Sequence, residues 1–195
     1  MDKGVVHSVS IRLSNRGRWF RRWFVLEWEN NGFLENAERA AGGEYEYTIF
    51  QWNFRPRIVF PSMQTLGFRF HWGTSRGNLP QQKLFSLGGM TTLPGYDDDA
   101  FVGRHLFLIR GEYWVAWKMW LSESSRFSPL KTGVFCDLGN TWSLRGETYR
   151  DRVKVDVGLE LNYASAIRLS IVKGVGKFNV PARIFVGWGT HFFGV

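Results

Sequence analysis

Residues 85–117, FSLGGMTTLPGYDDDAFVGRHLFLIRGEYWVAW, decide the fold of this chain. The first part, residues 85–103, is rich in Gly and Asp and contains one Pro, which is typical of a long irregular loop. The second part, residues 105–117, alternates between apolar or aromatic side chains and charged ones such as Arg110 and Glu112. A strand is the only regular element with a period of two. The sequence therefore predicts a long glycine-rich loop that leads into a long two-faced β-strand.

The same alternation recurs along most of the chain, with almost no helical periodicity. It predicts nine strand segments: 5–13, 18–29, 44–58, 64–73, 105–117, 131–142, 152–163, 167–171 and 182–193. The composition of residues 14–17 predicts a turn, and the polar composition of residues 30–43 predicts a loop. After Ile49 the apolar series changes phase, which predicts a β-bulge. Short and long connections alternate along the chain, as is typical of transmembrane β-barrels.

The composition favours a surface that faces lipid. Aromatic residues make up 17% of the chain, including 10 Trp and 17 Phe, more than a single soluble core would take in. Hydrophobic residues at 44% and charged residues at 22% argue against intrinsic disorder. No run of about 18 apolar residues exists, so transmembrane helices are excluded. Transmembrane strands need apolar residues only at alternate positions, and interfacial aromatic girdles are typical of them.

The positive charge has two interpretations. The formal net charge is +8 and the pI is about 9.9. One interpretation is a nucleic-acid partner. The other is a basic surface or pore, and it is favoured because the basic residues are dispersed at alternate strand positions instead of clustered.

Motifs for catalysis or metal binding are absent from the sequence. Cys136 is the single cysteine, so no disulfide framework or Cys-based metal site is available. The four His lie on different segments and lack ligand spacing. Ser86 is not in a Gly-x-Ser-x-Gly elbow, and the glycines at 88 and 89 do not open a helix. We therefore expect no catalytic residue, no metal, no cofactor and no enzymatic activity.

Three local motifs carry a family resemblance. FSLGG (85–89) followed by TLPGY (92–96) looks like an "LGG…VRGY" loop. Glu112 and Tyr113, after Gly103, look like a "G…EYR" strand, although Trp114 replaces the Arg. VFCDLGNTW (134–142) looks like an "F.D.G..W" strand. In this order and spacing they resemble the barrel domain of the bacterial surface-antigen superfamily, which includes the BamA/TamA-like outer-membrane assembly factors and their two-partner-secretion relatives.

The resemblance implies an all-β fold, an antiparallel up-and-down transmembrane β-barrel with one long loop folded inward. Nine segments indicate a barrel of about eight or nine strands, or the C-terminal half of the sixteen-stranded family barrel. Five strands follow the loop in the family, and five are predicted here. Residues 1–195 are expected to form a single barrel domain, in which 1–17 are an extra or incomplete strand.

The resemblance also implies a site in the lumen, where a loop arginine of the family meets acidic and aromatic residues of the wall. The implied loop-motif residues are Gly88, Gly89, Leu93, Pro94, Gly95 and Tyr96. The implied lumen charges are Arg69, Arg110, Glu112, Asp137, Asp97, Asp98 and Asp99. Because the family arginine falls at Pro94, we expect the Asp97–Asp99 carboxylates to pair instead with Arg69 or Arg110. We expect the wall to be formed by the strands at 64–73, 104–117 and 131–142.

The function implied by the resemblance is assembly or translocation of other proteins at the bacterial outer membrane, given a signal peptide upstream of Met1. The implied partners are outer-membrane lipids and unfolded outer-membrane or secreted client proteins, with no nucleic acid. The segment 182–193 would form a seam for client strands. Two alternatives stay open: a passive structural barrel or anchor without a client, and a soluble basic β-barrel that binds nucleic acid. The client, any upstream periplasmic domain and the oligomeric state are not fixed by the sequence.

Overall fold

The computed structural model describes residues 6–38, 44–117, 130–143, 153–164, 166–175 and 180–188. Within them lie eleven β-strands and one short 3-10 helix at Gln81–Lys83. The strands are β1 Ser8–Phe20, β2 Val25–Ala37, β3 Glu46–Val59, β4 Gln64–Asn78, β5 Phe85–Leu87, β6 Phe101–Gly103, β7 His105–Trp117, β8 Leu130–Trp142, β9 Lys154–Tyr163, β10 Ile167–Val175 and β11 Arg183–Trp188. No helix in these ranges is both long and apolar enough to cross a membrane.

The described long strands form one antiparallel up-and-down sheet of nine strands, the main sheet, in the order β1-β2-β3-β4-β7-β8-β9-β10-β11. Every strand pairs with the next long strand along the chain. The short β5 and β6 form a separate hairpin inside the loop between β4 and β7. The predicted all-β antiparallel fold is thus confirmed, with five long strands after the loop.

The main sheet has one apolar face and one polar face. On β9, Val157 and Leu159 are 43% and 59% exposed on the outer face, whereas Asp156 and Glu160 on the inner face are 0% and 4% exposed. The inner face is the one covered by the loop between β4 and β7. This alternation confirms the strand faces predicted for β7, β8 and β9, because successive strand side chains point to opposite faces.

The main sheet is open. In the described ranges, β1 pairs only with β2 and β11 pairs only with β10. Because each strand is antiparallel to its neighbour, the first and ninth strands run in the same direction. A direct seam between β1 and β11 would therefore be parallel, and closure by antiparallel pairs alone requires an odd number of additional strands.

The first turn lies elsewhere than predicted. Residues 14–17 are not a turn: β1 continues to Phe20, and Asn15 pairs with Asn30 on β2. The connection is at residues 21–24, where the Arg21 N–H donates to the Phe24 carbonyl at 2.9 Å. The predicted polar loop at 30–43 is also wrong in its first part, because β2 runs to Ala37. The Asn-Arg-Gly propensity for a turn is overridden by pairing along all of β1, so residues 8–17 belong to this strand.

The predicted β-bulge is wrong as well. β3 keeps one register with β2 from Val25↔Val59 to Ala37↔Tyr47, and one register with β4. The apolar series changes phase because Tyr47 and Ile49 point to the inner face, where the loop buries them to 2% exposure. Phe50, by contrast, points outward.

A test of this packing is Gly158→Ala on the inner face of β9. A Cβ at this position would lie 2.4 Å from the ring of Phe135, so the ring would have to move from beneath the Arg110 guanidinium, 4.2 Å from its centroid. We expect a loss of about 1–3 kcal/mol from overpacking, measured by urea unfolding in detergent micelles. Gly32→Ala is the control, because its Cβ meets nothing within 4 Å. Equal unfolding midpoints for the two variants would contradict the assigned packing.

Candidate functional site

The loop between β4 and β7 lies against the inner face of the main sheet and shares a core with it. Leu87 and Leu93 are fully buried and Tyr96 is 4% exposed. They belong to a hydrophobic cluster that also includes Ala37, Tyr47, Ile49, Leu79, Phe85, Leu106 and Leu108. The loop was predicted to fold inward, and the burial of these side chains confirms it.

The loop motif is held by its own hydrogen bonds. The Gly89 N–H donates to the Tyr96 carbonyl at 3.1 Å, and the Tyr96 N–H donates to the Leu93 carbonyl at 3.0 Å, which closes the predicted turn at Pro94 and Gly95. Gly88 and Gly89 have φ values of +120° and +78°, a region that favours glycine. The six motif residues therefore form one compact unit with the turn at its tip.

The tip docks on β9 and β10. The Gly95 N–H donates to Asp156 Oδ2 at 2.8 Å, and the Tyr96 hydroxyl donates to the Val155 carbonyl at 3.1 Å. Burial raises the pKa of the Tyr96 phenol, and the Asp156 carboxylate raises this pKa further, so the hydroxyl keeps its proton for this bond. The backbone of Gly174 on β10 also packs against Gly95.

The sequence analysis missed Asp156, the acid that accepts the hydrogen bond from the loop tip. The expected wall of three strands omitted β9, which carries Asp156. The signal was present, because Asp156 lies on the charged side of the alternation in 153–163. Its position opposite Asp137 became visible only with the register between β8 and β9.

The expected pairing of the Asp triplet with Arg69 or Arg110 is wrong. Asp97 forms an ion pair with Arg183 on β11, at 2.5 Å. Asp98 and Asp99 are exposed. The loop tip occupies the inner face of the main sheet at this position. The three carboxylates stay in contact with water, where a charged group costs less than it does when buried.

The inner face carries one continuous row of charged cross-strand neighbours, the charged row. Its members, from β1 to β9, are Arg16, Glu29, Arg55, Arg69, Arg110, Asp137 and Asp156. Arg55 lies opposite Arg69 because the flanking pairs Phe54↔Phe70 and Arg57↔Gly67 share one register. The row therefore has a cationic half on β3, β4 and β7 and an acidic half on β8 and β9.

Asp137 of the acidic half has its counter-ion within the wall, whereas Asp156 is bonded by the loop tip. Arg110 Nε lies 3.5 Å from Asp137 Oδ1, and Arg110 Nη2 lies 3.7 Å from Glu160 Oε1. Glu160 also pairs with Arg168 on β10, and Glu112 lies 4.0 Å from Arg110. The predicted lumen charges Arg110, Glu112 and Asp137 thus come together, but they contact one another and not the loop.

A second loop anchor lies near the entry to the loop. Lys83 Nζ lies 2.9 Å from Glu35 Oε1, and the Tyr47 hydroxyl donates to the same oxygen at 2.8 Å. Glu35 is only 4% exposed. The sequence analysis missed this anchor because it assigned Glu35 to a polar loop. In the described ranges, no group of three or more His, Cys, Asp or Glu side chains is arranged to hold a metal ion.

The docked tip can be tested with Gly95→Ala. A Cβ there would lie 2.7 Å from the Gly174 nitrogen and 2.8 Å from the Asp156 Cβ, so the tip must withdraw and its bond to Asp156 is lost. We expect chymotrypsin to cut within residues 90–99 of the folded variant in detergent, and stability to fall by about 1–3 kcal/mol because a buried acceptor loses its donor.

Gly111→Ala is the matched control for Gly95→Ala. Its Cβ would meet only the Phe68 ring, at 3.8 Å, an ordinary contact. Rapid cleavage of the unmodified protein at 90–99 would contradict docking of the loop.

Comparisons with known proteins agree with this geometry. Residues 15–173 match the Omp85 superfamily domain. The crystal structure of BamA from Haemophilus ducreyi lacking POTRA domains 1-3 has a TM-score of 0.67 and 17% identity, over 92% of this chain and 41% of that chain. CdiB from Acinetobacter baumannii has a TM-score of 0.58 and 14% identity, over 92% of this chain and 32% of that chain. These two structures share the fold, and this chain spans less than half of either. No curated relative matches the sequence.

Proposed function

The chain belongs to the Omp85 superfamily, and from this membership we propose that it is an outer-membrane β-barrel domain that assembles or translocates other proteins. The match over residues 15–173 is the observation that carries the proposal. The proposed location is the bacterial outer membrane, with membrane lipids and unfolded outer-membrane or secreted proteins as partners.

The outer face of the main sheet supports a lipid environment. It exposes large apolar side chains on every long strand from β1 to β11; examples are Ile11, Leu34, Phe50, Trp52, Phe68, Trp72, Ile109, Val134, Leu159, Ile171 and Val186. In water these side chains would form an apolar patch far larger than a soluble monomer normally exposes. Lipid removes this cost, and a barrel satisfies its backbone groups between strands.

The open sheet favours part of a larger barrel. A closed barrel of eight strands that omits residues 1–17 conflicts with the pairing of β1 along its whole length with β2. A closed barrel of nine strands would need a parallel seam. An even-stranded antiparallel barrel fits the bacterial pattern, and seven further strands would complete the sixteen of the family. Residues 1–195 would then form one portion of a single barrel domain.

The proposed mechanism uses the loop as a plug and β11 as the edge that meets a client strand. β11 pairs with β10 over six residues, Ile167↔Trp188 to Val172↔Arg183, whereas β10 continues to Val175. Unpaired edge groups of a sheet can template an incoming strand. Asp97 contacts Arg183, so the loop is connected to the start of this edge strand. The proposal assigns no catalytic role to any residue.

Two alternatives remain distinct from this proposal. A passive anchor would have the same lipid-facing surface but no effect on clients. A soluble nucleic-acid-binding barrel is disfavoured because the arginines of the charged row lie on the inner face of the main sheet, whereas the outer face exposes large apolar side chains and not a basic patch.

If lipid covers the outer face, the cost of an Arg substitution on that face should depend on its depth in the bilayer. Val157→Arg would place a charge in the middle of β9 and should cost about 2–4 kcal/mol of folding free energy in phospholipid vesicles, whereas Ile167→Arg at a strand end should cost about 0–1 kcal/mol. The two side chains have similar exposure, 43% and 39%, on the same face. Equal costs would mean that water, not lipid, covers this face.

The assembly activity is tested with proteoliposomes that contain this chain. We expect them to accelerate the folding of a urea-unfolded outer-membrane β-barrel client, measured by the heat-modifiable band on gels. Vesicles that contain an unrelated passive barrel at equal protein content are the control. Rates equal to the control would favour the passive anchor. Solubility without detergent, together with nucleic-acid binding, would favour the soluble nucleic-acid-binding barrel.

A further inference from the structure

We propose that the cationic half of the charged row, centred on Arg69, is a docking surface for an acidic, extended polypeptide segment. The surface lies on the inner face of β1 to β4 and is bordered by Arg110 on β7. This inference rests on the proposed function, because the segment would belong to a client protein. It adds that the inner face prefers acidic segments to neutral ones, which neither the fold nor the family match implies.

The surface is an open trough. Two adjoining cavities of about 730 Å³ and 910 Å³ lie along the inner face of β1 to β4. Both are lined by Arg16, Glu29, Arg55 and Arg69. The loop borders the second cavity at residues 82–85 and leaves the floor uncovered. A chain segment can therefore reach the arginines without displacing the loop tip.

The acids that line the trough are already paired. Glu27 pairs with Arg18 and Arg57, Glu29 pairs with Arg16, and Glu35 pairs with Lys83. On the far side, Glu112 faces Arg110. In the part of the chain that the structure describes, neither Arg55 nor Arg69 forms an ion pair with a carboxylate. The positive charge of the trough that no carboxylate offsets is therefore carried by these two side chains and by Arg12, which lies over the Phe33 ring at the edge on β1.

Arg69 is the centre of this excess charge. Its cross-strand neighbours are Arg55 on one side and Arg110 on the other, and like charges directly opposite each other are destabilising. Its Nη1 donates to the Thr91 carbonyl of the loop at 2.9 Å, and its buried Nε has no hydrogen-bond partner within the described residues. A carboxylate would offset the repulsion and accept from the guanidinium in the bidentate geometry that arginine favours.

The shape and lining of the trough favour a polypeptide. Eight residue steps separate Ile49 from Arg57 on β3, a length of about 26 Å at about 3.3 Å per residue, which fits an extended segment of about eight residues. The amides of Asn31, Gln51 and Asn53 line the same trough and can bond to a peptide backbone. A lipid would have to place its acyl chains on this polar face, while the apolar face lies on the opposite side of the sheet.

The test uses the chain refolded in detergent micelles and a fluorescein-labelled peptide of about twelve residues with alternating Glu and Ser. Fluorescence anisotropy measures its dissociation constant. We expect the same peptide with Gln in place of Glu to bind at least about tenfold more weakly, since charge-assisted hydrogen bonds are roughly twice as strong as neutral ones. We expect Arg69→Gln to weaken binding of the acidic peptide by about tenfold and Arg55→Gln by a smaller factor.

Arg76→Gln is the matched control, because Arg76 lies on the same strand but its exposed side chain is on the outer face. Near-UV circular dichroism of each variant verifies that the fold is intact. Equal binding of the Gln peptide, or equal effects of Arg69→Gln and Arg76→Gln, would overturn the inference. Displacement of the peptide by inorganic phosphate at equal charge concentration would also overturn it, because the site would then be a simple anion site. A third result would also overturn the inference: the wild type binds anionic-lipid micelles more tightly than Arg69→Gln does, and neither protein distinguishes the Glu peptide from the Gln peptide.

The outcome separates this inference from the proposed function. If proteoliposomes accelerate client folding but Arg69→Gln binds the acidic peptide as wild type does, the docking surface is refuted and the assembly function stands. If the peptide preference is found but client folding is not accelerated, the site stands as a peptide-binding surface and its assignment to clients is refuted.

Discussion

The hydrogen bond from the Gly95 N–H to Asp156 is the interaction on which the interior depends. Asp156 and Asp137 face each other across β8 and β9 and are both fully buried, so the wall contains two adjacent carboxyl groups out of contact with water. Buried charge is tolerated only with donors or counter-ions close by. Arg110 is the counter-ion of Asp137, and the N–H of Gly95 at the loop tip donates a hydrogen bond to Asp156. The loop therefore supplies part of the polar surroundings that the buried acids of the wall need.

The resemblance in the sequence implied a loop arginine at the tip, and this chain has Pro94 there. The guanidinium nearest the buried acids comes instead from the wall, where Arg110 lies over the Phe135 ring and beside Asp137. A backbone N–H then suffices at the tip, because the wall already supplies the positive charge. In this chain the loop contacts the wall through the backbone of its tip, and the cation beside the buried acids lies on β7.

The sequence was sufficient where the alternation was unbroken, as on β7 and β9, because a one-residue error would have turned every acid toward the outer face. It was insufficient where tertiary contacts reverse a local preference. Residues 14–17 have turn composition, yet Arg16 and Gly17 lie in β1 opposite Glu29 and Trp28. The local pattern places Tyr47 on the outer apolar stripe, because nothing in this segment indicates that a distant loop covers the inner face. The Asp156 contact needed the β8–β9 register, which no single segment contains.

The loop also constrains the shape of the sheet. It contacts Glu35 on β2 and Arg183 on β11, strands that would lie about 34 Å apart in a flat sheet with about 4.8 Å between neighbours. Because the loop folds back on itself between these contacts, the sheet must curve around it, and the inner face becomes concave. The two ends are held unequally: Glu35 is 4% exposed, whereas the Asp97 side chain is 84% exposed. An exposed ion pair contributes about 0–1 kcal/mol, so β11 can separate from the loop while the buried contacts at Glu35 and Asp156 remain. The weakly held strand is therefore the one that, within the described residues, pairs with β10 alone.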